Sequence, residues 1–330
     1  MKKHLFAIPL MLCLFSACEV EFSPNAEWKN IPVVYCLLDQ DVDTTWVRVE
    51  RCFLAEGSMY DFGPVSDSIN YPVGSIRVQL CVFRNGQCVD TILCRDTLRS
   101  REAGSFANVD QPLYFTTERL YEANMYKLLV TRVSDGSVIA YTDSIPLIVQ
   151  SAQGLIRKPS NNEQFGFFER SGLTAVCNIE WYVMQNARRY QPIVRFYYTE
   201  AGDTHYVDLR CNSVPEAIHQ PQTQSTYYSR DAFLSEMYTI LKDDTLPKRS
   251  LNKVDLYLTA CSEDLNAYIT SLDINNAVDQ GNEAYTNIHN GRGVFAARRT
   301  RLYKSLRADS SIVQSTGGLV YYLRELGVGF

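Results

Sequence analysis

Asp39, Asp41 and Asp43 alternate through the run Asp39-Gln40-Asp41-Val42-Asp43-Thr44, and Glu50 follows eleven positions after Asp39. That spacing imitates a calcium loop, in which carboxylates recur at alternate positions and a bidentate glutamate closes the set. The sixth position, where such a loop needs glycine for a sharp turn, is Thr44, and the flanks read as strands. An acidic hairpin loop is the better account, with calcium at Asp39, Asp41 and Asp43 as the sharper alternative. A second charged group lies near the C-terminus. Arg292, Arg298, Arg299, Arg301, Lys304 and Arg307 occur with no acid from Ala284 to Ala308. On a strand Arg299 and Arg301 share a face. Guanidinium groups there suit an anion such as a lipid phosphate, an acidic glycan or an acidic protein. Arg292, Arg298, Arg299 and Arg301 are therefore the candidate anion-binding residues, against the plainer reading of a solvated strand face.

Most catalytic constellations are missing. Past the leader the histidines are His205, His219 and His289, and no H-x-x-x-H or H-E-x-x-H is present. There is no Gly-x-Ser-x-Gly elbow, no C-x-x-C and no Cys/His set at zinc spacing. The loop Asn290-Gly291-Arg292-Gly293 lacks the Lys-Ser/Thr of a phosphate cradle. The expectation is a protein that is not an enzyme and needs no cofactor and no metal.

Lys2 and Lys3 precede an apolar stretch, Leu5 to Phe15, too short to span ~30 Å of hydrocarbon as a helix. Ser16 and Ala17 then lead to Cys18. This resembles the bacterial lipoprotein signal, in which the cysteine thiol is acylated and the chain is cut just before it. Residues 1–17 are read as the signal peptide, Cys18 as the lipid attachment site and 18–30 as a tether. Glu19 and Glu21 resemble the surface-export signal of lipoproteins in Bacteroidota-type bacteria. The implied address is the outer membrane, lipid-anchored and facing outward. Losing Lys2 and Lys3 takes the formal charge from −5 to −7, which argues against a nucleic-acid partner. Cys36, Cys52, Cys81, Cys88, Cys94, Cys177, Cys211 and Cys261 remain; eight cysteines permit 105 pairings, and buried free thiols are the alternative.

The chain carries 21 Tyr and 15 Phe in short β-branched runs, which favours strands. Ile31–Leu38 and Thr45–Leu54 flank the acidic loop. Ile76, Val78, Leu80 and Val82 alternate into Asn85-Gly86, a two-residue turn. In that register Phe83 faces Cys88 and Cys81 faces Asp90, and Cys81, Cys88 and Cys94 share the outer face. Asp135-Gly136 turns a second hairpin. Residues 31–149 are thus expected to form an antiparallel Ig-like β-sandwich. Residues 150–162 read as a linker. Residues 163–330 read as a β-rich domain with two or three short helices. Pro192 marks an edge or strand start. Phe233, Met237, Ile240 and Leu241 form one helical stripe, Leu265, Tyr268, Ile269 and Leu272 a second, and both are read as core. Leu319 to Leu326 would be the third helix. The fold class is mainly β.

The lipobox, the run Val33-Val34-Tyr35 with its Asp-rich turn, the Tyr126/Asp135-Gly136 hairpin and Asn287-Ile288-His289-Asn290-Gly291-Arg292-Gly293-Val294-Phe295 together resemble a family of Bacteroidota envelope lipoproteins. The resemblance implies an N-terminal sandwich domain and association with a TonB-dependent transporter, and it carries no catalytic residues. The expected function is a non-catalytic binding or accessory subunit of a transporter or another surface protein complex. A structural or adhesive surface subunit is the alternative, followed by an envelope-polymer hydrolase. Radiolabelled palmitate is expected to enter the protein in growing cells. Cys18→Ser is expected to move it from the sedimenting membranes to the supernatant; sedimentation of the serine variant would reject the anchor.

Overall fold

A period of two in the apolar residues builds most of this chain, because successive side chains of a strand point to opposite faces. Ile31–Leu38 is the pattern in full: Val34, Cys36 and Leu38 are buried and the residues between them half-buried. The computed structural model describes residues 30–52, 65–100, 110–158, 165, 167–170, 173–216, 222–241, 249–277, 284–306 and 323. The expected leader, Cys18 and its tether, part of the linker and the third helix lie outside these residues. The exceptions are Asn30 and Leu323, the latter helical and buried.

The chain runs β1 (Ile31–Leu38), β2 (Thr45–Cys52), one helical turn at Ser66–Ile69, β3 (Ile76–Arg84), β4 (Gln87–Leu93), β5 (Arg95–Arg99), β6 (Gln111–Thr116), β7 (Met125–Arg132), β8 (Val138–Tyr141) and β9 (Ile145–Pro146). It continues through β10 (Ile156–Lys158), β11 (Phe168–Arg170), β12 (Leu173–Tyr182), β13 (Arg189–Glu200), β14 (Asp203–Arg210), β15 (Val214–Pro215) and β16 (Thr223–Ser229). Helix α1 (Arg230–Leu241), β17 (Ser250–Cys261), helix α2 (Glu263–Ala277) and β18 (Arg292–Leu306) follow. The fold is mainly β. One sheet runs β14-β13-β17-β18-β1-β2-β6-β5, with β15 also on β13. A second runs β4-β3-β7-β8, with β9 on β7. In the third, β16 lies on one edge of β12, and β10 and β11 lie on the other. The buried residues of all three belong to one hydrophobic cluster.

β18 is the strand on which the large sheet turns. Its first half pairs parallel with β1, from Val33↔Arg292 to Leu38↔Ala297. Its second half pairs antiparallel with β17, from Cys261↔Arg298 to Val254↔Leu306. The handover falls between Ala297 and Arg298, where Ser262 binds the backbone of Ala297 through its own N–H and Oγ. The approach to β18 is built by side chains that mimic backbone. Asn287 donates from Nδ2 to the Phe295 carbonyl at 2.7 Å and accepts the Phe295 N–H at 2.9 Å. Asn290 (φ 61°) and Gly293 (φ 108°) take positive φ. Gly291 is required for a different reason: a Cβ there would lie 2.7 Å from the Pro32 carbonyl oxygen.

Two tyrosines close corners in the same way. Tyr126, fully buried at the start of β7, accepts the Tyr121 N–H at 2.7 Å and donates back to the Tyr121 carbonyl. Tyr190, at the start of β13, does the same with Met184 at 2.8 Å and 3.4 Å.

Several sequence expectations need correction. Asn85 (φ 51°) and Gly86 (φ 77°) form the expected turn, and Phe83 faces Cys88. A bulge then shifts the register, so Cys81 faces Thr91 and Val82 faces Asp90. Cys94 has left the outer face and is buried, its N–H bonded to the Val78 carbonyl. All eight of these cysteines are free thiols. Pro192 sits inside a central strand, not at an edge. It is tolerated because β13 changes partner there, from β15 at Tyr190 to β14 at Ile193, so no N–H is needed. In α1, capped by Ser229 through the Ala232 N–H, Phe233, Met237 and Leu241 are buried but Ile240 is exposed. The α2 stripe is only half-buried, and Leu272 is 38% exposed.

Gly293→Ala would place a Cβ 2.0 Å from the Val34 carbonyl oxygen, in a conformation that side chains rarely adopt. The expected cost is about 3–5 kcal/mol, read as a drop in urea midpoint. Gly202→Ala, at φ 97° in open space, is expected to cost only about 1 kcal/mol. Equal losses at the two positions would refute the close-approach argument.

Candidate functional site

The acidic loop and the basic run meet, although 258 residues separate Asp41 from Arg299. Arg299 is buried in β18. It donates from Nε to Asp41 Oδ2 at 2.7 Å and from Nη1 to Glu122 Oε1 at 2.6 Å and to the Ile148 carbonyl at 2.9 Å. Arg301, two residues on and on the same face, lies 3.6 Å from Asp41 and donates to Gln150. Burial works against the charge of Arg299, and the Asp41 and Glu122 carboxylates outweigh it, so its pKa is raised.

Both sequence-derived sites change meaning as a result. The four arginines do not converge on an anion. Arg299 and Arg301 already hold Asp41. Arg298 faces the other way because alternate residues of a strand point oppositely. Arg292 is exposed at the far end of the β1 pairing, and Arg307 lies outside the described residues. Nor do the three aspartates gather around an ion. Asp41 is turned to Arg299, Asp39 is buried on the other side, and Asp43 is exposed. Among the described residues no group of three or more His, Cys, Asp or Glu side chains is placed to hold a metal.

What the arrangement makes instead is a groove on the Asp39 side. One part, of about 660 Å³, is walled by Tyr35, Trp46, Tyr268 and Leu265. It continues past Asp39 and Arg298 into a second part of about 640 Å³ that reaches Arg195, Asp208 and Arg210. Leu37, Asp39, Val42, Leu265 and Arg298 belong to both parts. The strand handover positions it: β1 and the acidic loop form one bank, β13 and β14 the other, and α2 hangs over the gap. Arg189 ties α2 to the β13 bank, donating to Asn266 Oδ1 at 2.7 Å, to Ser213 Oγ at 2.9 Å and to Thr270 Oγ1 at 3.2 Å.

Two charged side chains in the groove each keep a buried polar atom without a hydrogen-bond partner among the described residues. Asp39 is only 2% exposed. Its Oδ1 accepts the Asp41 N–H at 3.0 Å, while Oδ2, fully buried, has no hydrogen-bond partner among the described residues. Burial pushes its carboxyl pKa up, opposed by the Asp41 N–H, by the nearby positive charge of Arg298 and by the backbone N–H of Thr300, which also faces the carboxylate. Arg298 is half-buried, and its Nε is likewise buried without a partner among the described residues. Arg195, by contrast, grips Asp208 with two bonds at 2.6 Å and 2.8 Å. Its guanidinium carbon lies 4.2 Å from the Tyr206 ring centre and 4.9 Å from that of Tyr257. Arg195 accordingly holds the Asp208 carboxyl below the usual range. Tyr35, packed edge-on to Tyr268, is pushed up to about 12 by burial first and by its Tyr268 neighbour second.

The histidines stay apart from this groove. His289 stacks on Tyr141 and lies 3.3 Å from Asp143, His205 stacks on Tyr198, and His219 lies outside the described residues. Burial raises the Cys261 thiol, on the groove wall, to about 11, so it is not a ready nucleophile.

No family model matches the chain, and no curated protein is similar to it.

Sequence reasoning found Asp39 and Arg298 but placed each with the wrong companions. It missed Trp46 and Tyr268, the latter because its stripe reads as core. For the arginines the available signal was that Arg298 and Arg299, as successive residues of a strand, must point to different faces; for Asp39 and Asp41, which lie in the turn after β1, the spacing carried no such signal.

Asp39 yields a pH test. Its folded pKa is raised, so the native state holds its proton more tightly than the unfolded chain does. Its contribution favours folding below the unfolded pKa of about 3.9 and declines as pH rises through the raised folded value. Asp39→Asn is expected to raise the urea midpoint at pH 7 and to remove this decline. An unchanged or lower midpoint at pH 7 would show that the buried carboxylate is no burden.

Proposed function

We propose that this protein is a lipid-anchored outer-membrane subunit that binds rather than transforms its ligand, as an accessory to a transporter or another surface protein complex. Acylation at Cys18 would tether it, and the groove beneath Asp39 would be its binding surface. The observation that carries the reading is the pair Asp39 and Arg298. Each keeps a buried polar atom without a partner, in a groove where Arg189, Arg195 and Asp208 are matched. A buried unsatisfied group costs about 1–3 kcal/mol, which a bound ligand would recover.

Residues 31–149 read as an Ig-like sandwich, followed by a β-rich part with added helices. Tyr126 supports this, since it returns its hydroxyl to the backbone a few residues upstream, as the tyrosine corner of Ig-like sandwiches does. The alternative, a structural or adhesive subunit, draws support from β4. This edge strand is exposed along nearly its whole length, with Val89 and Leu93 more than half exposed, and such an edge suits pairing with another chain.

Cross-linking in intact envelopes at native expression, followed by purification, is expected to recover a β-barrel membrane protein with this chain. Recovery of the lipoprotein alone would reject the accessory role. Recovery of a ladder of its own multimers would favour the structural one.

A further inference from the structure

We propose that the outer face of β2, β6 and β5 docks an acidic segment of a partner protein, whose carboxylates meet Arg95 and Arg99. The contact requires neither a ligand in the groove nor a lipid anchor, so it goes beyond the functional reading above.

Strand register builds this face. Trp46 pairs across with Phe115, and Phe115 with Arg95, so the three side chains stand in one row over adjacent strands. The ring centres of Trp46 and Phe115 are 5.2 Å apart. The Arg95 guanidinium carbon lies 4.8 Å from the Phe115 centre at one end of the row, and that of Arg99 lies 5.1 Å from the Trp46 centre at the other. Arg48, two residues along from Trp46, covers Tyr35 at 4.9 Å. A guanidinium laid on a ring is held in place by it, while its N–H donors, which lie in its own plane, stay available. Arg48 already has a carboxylate, that of Glu50 at 3.4 Å. Arg95 and Arg99 are exposed and have no hydrogen bond or ion pair from their side chains among the described residues. Asp96 offers them none: it pairs across with buried Tyr114 and so lies on the opposite face of β5. Glu50 is thus the one acid on the outward positions of β2, β6 and β5.

Charge and shape select the occupant. The chain carries a formal charge of −5, yet this face sets two unmatched cations outward, which an acidic surface complements. Carboxylates match guanidinium forks. Tryptophan and arginine are also the side chains that most often anchor protein interfaces. A sugar or a nucleic-acid base needs an open ring face, and here each ring already carries a guanidinium and its neighbouring ring. A membrane surface draws on apolar side chains that enter the acyl region, whereas these rings are capped by charge.

The test is fluorescence anisotropy of labelled peptides titrated with the full-length lipoprotein in detergent micelles. The probes are octaglutamate and octaglutamine. Octaglutamate is expected to bind at least about tenfold more tightly than octaglutamine, and to lose that advantage in high salt. Arg95→Gln and Arg99→Gln together are expected to weaken binding at least about tenfold. Trp46→Leu, which leaves the charge unchanged, is expected to weaken it about threefold, because Arg99 loses its support. Arg77→Gln, at an exposed arginine on β3, is expected to leave the affinity as it was. All four substitutions alter exposed side chains, and an unchanged urea midpoint separates lost binding from misfolding. Equal binding of the two peptides, unchanged affinity in the double arginine variant, or an equal loss in Arg77→Gln would overturn the proposal. So would flotation of the Cys18→Ser chain with phosphatidylglycerol vesicles that depends on Arg95 and Arg99 while octaglutamate fails to bind, which would assign the face to an anionic membrane.

Discussion

The backbone ladder of β18 is the constraint from which the rest follows. A strand of fifteen residues satisfies its N–H and C=O groups against β1 over its first half and against β17 over its second. Buried backbone groups must be paired, so neither half of the large sheet can close at its centre without this strand. Gly291 and Gly293 let it approach β1, and Asn287 substitutes for a neighbouring strand where no strand is present. Arg299, two residues past the handover point, fastens the strand to three separate segments at Asp41, Glu122 and Ile148. Breaking a buried ion pair by removing one partner costs about 3–5 kcal/mol, comparable to much of a domain's net stability. Asp41 and Glu122 are partly exposed, so the loss here lies toward the lower end.

The groove follows from the same geometry. Where β18 passes from β1 to β17, the groove lies between residues of β1, β13, β14 and α2. Residues on one side of β18 are spent on holding the loops. Residues on the other side face the groove. This divides a run of like charges into Arg299, which serves stability, and Arg298, which does not. The same division separates Asp41 from Asp39. A buried carboxylate with an unpaired oxygen lowers stability.

Local structure was legible in the sequence, and the joining of distant parts was not. Alternation in β1, β3, β7 and β13 was open to reading because a half-buried strand writes its period directly. Asn85-Gly86 was legible because few residues meet its backbone demands. The bulge at Val89, between the Phe83↔Cys88 and Val82↔Asp90 pairs, was not, since one looped-out residue leaves no mark in composition yet moved Cys81 from Asp90 to Thr91. The double partnership of β18 was hidden for another reason. Pairing is decided by tertiary context that a period of two does not encode. Pro192 misled in the same way, because the rule against proline in central strands holds only where a neighbour asks for the missing N–H. The α2 stripe was read as core on its spacing alone, and spacing does not say whether anything covers it.

The timing of synthesis gives the β1–β18 pairing a further meaning. A ribosome completes β1 long before β18, and the Asp41–Arg299 contact must wait for 258 residues to be added. Until then β1 offers one open edge, and the newborn chain carries an unfinished sheet that could recruit the wrong strand. Contacts this distant in sequence also slow folding, because the loop between them must close first. A cell making this protein therefore has an interval in which the sheet is unfinished and the chain still pliable. The last strand to emerge acts as the latch that ends it.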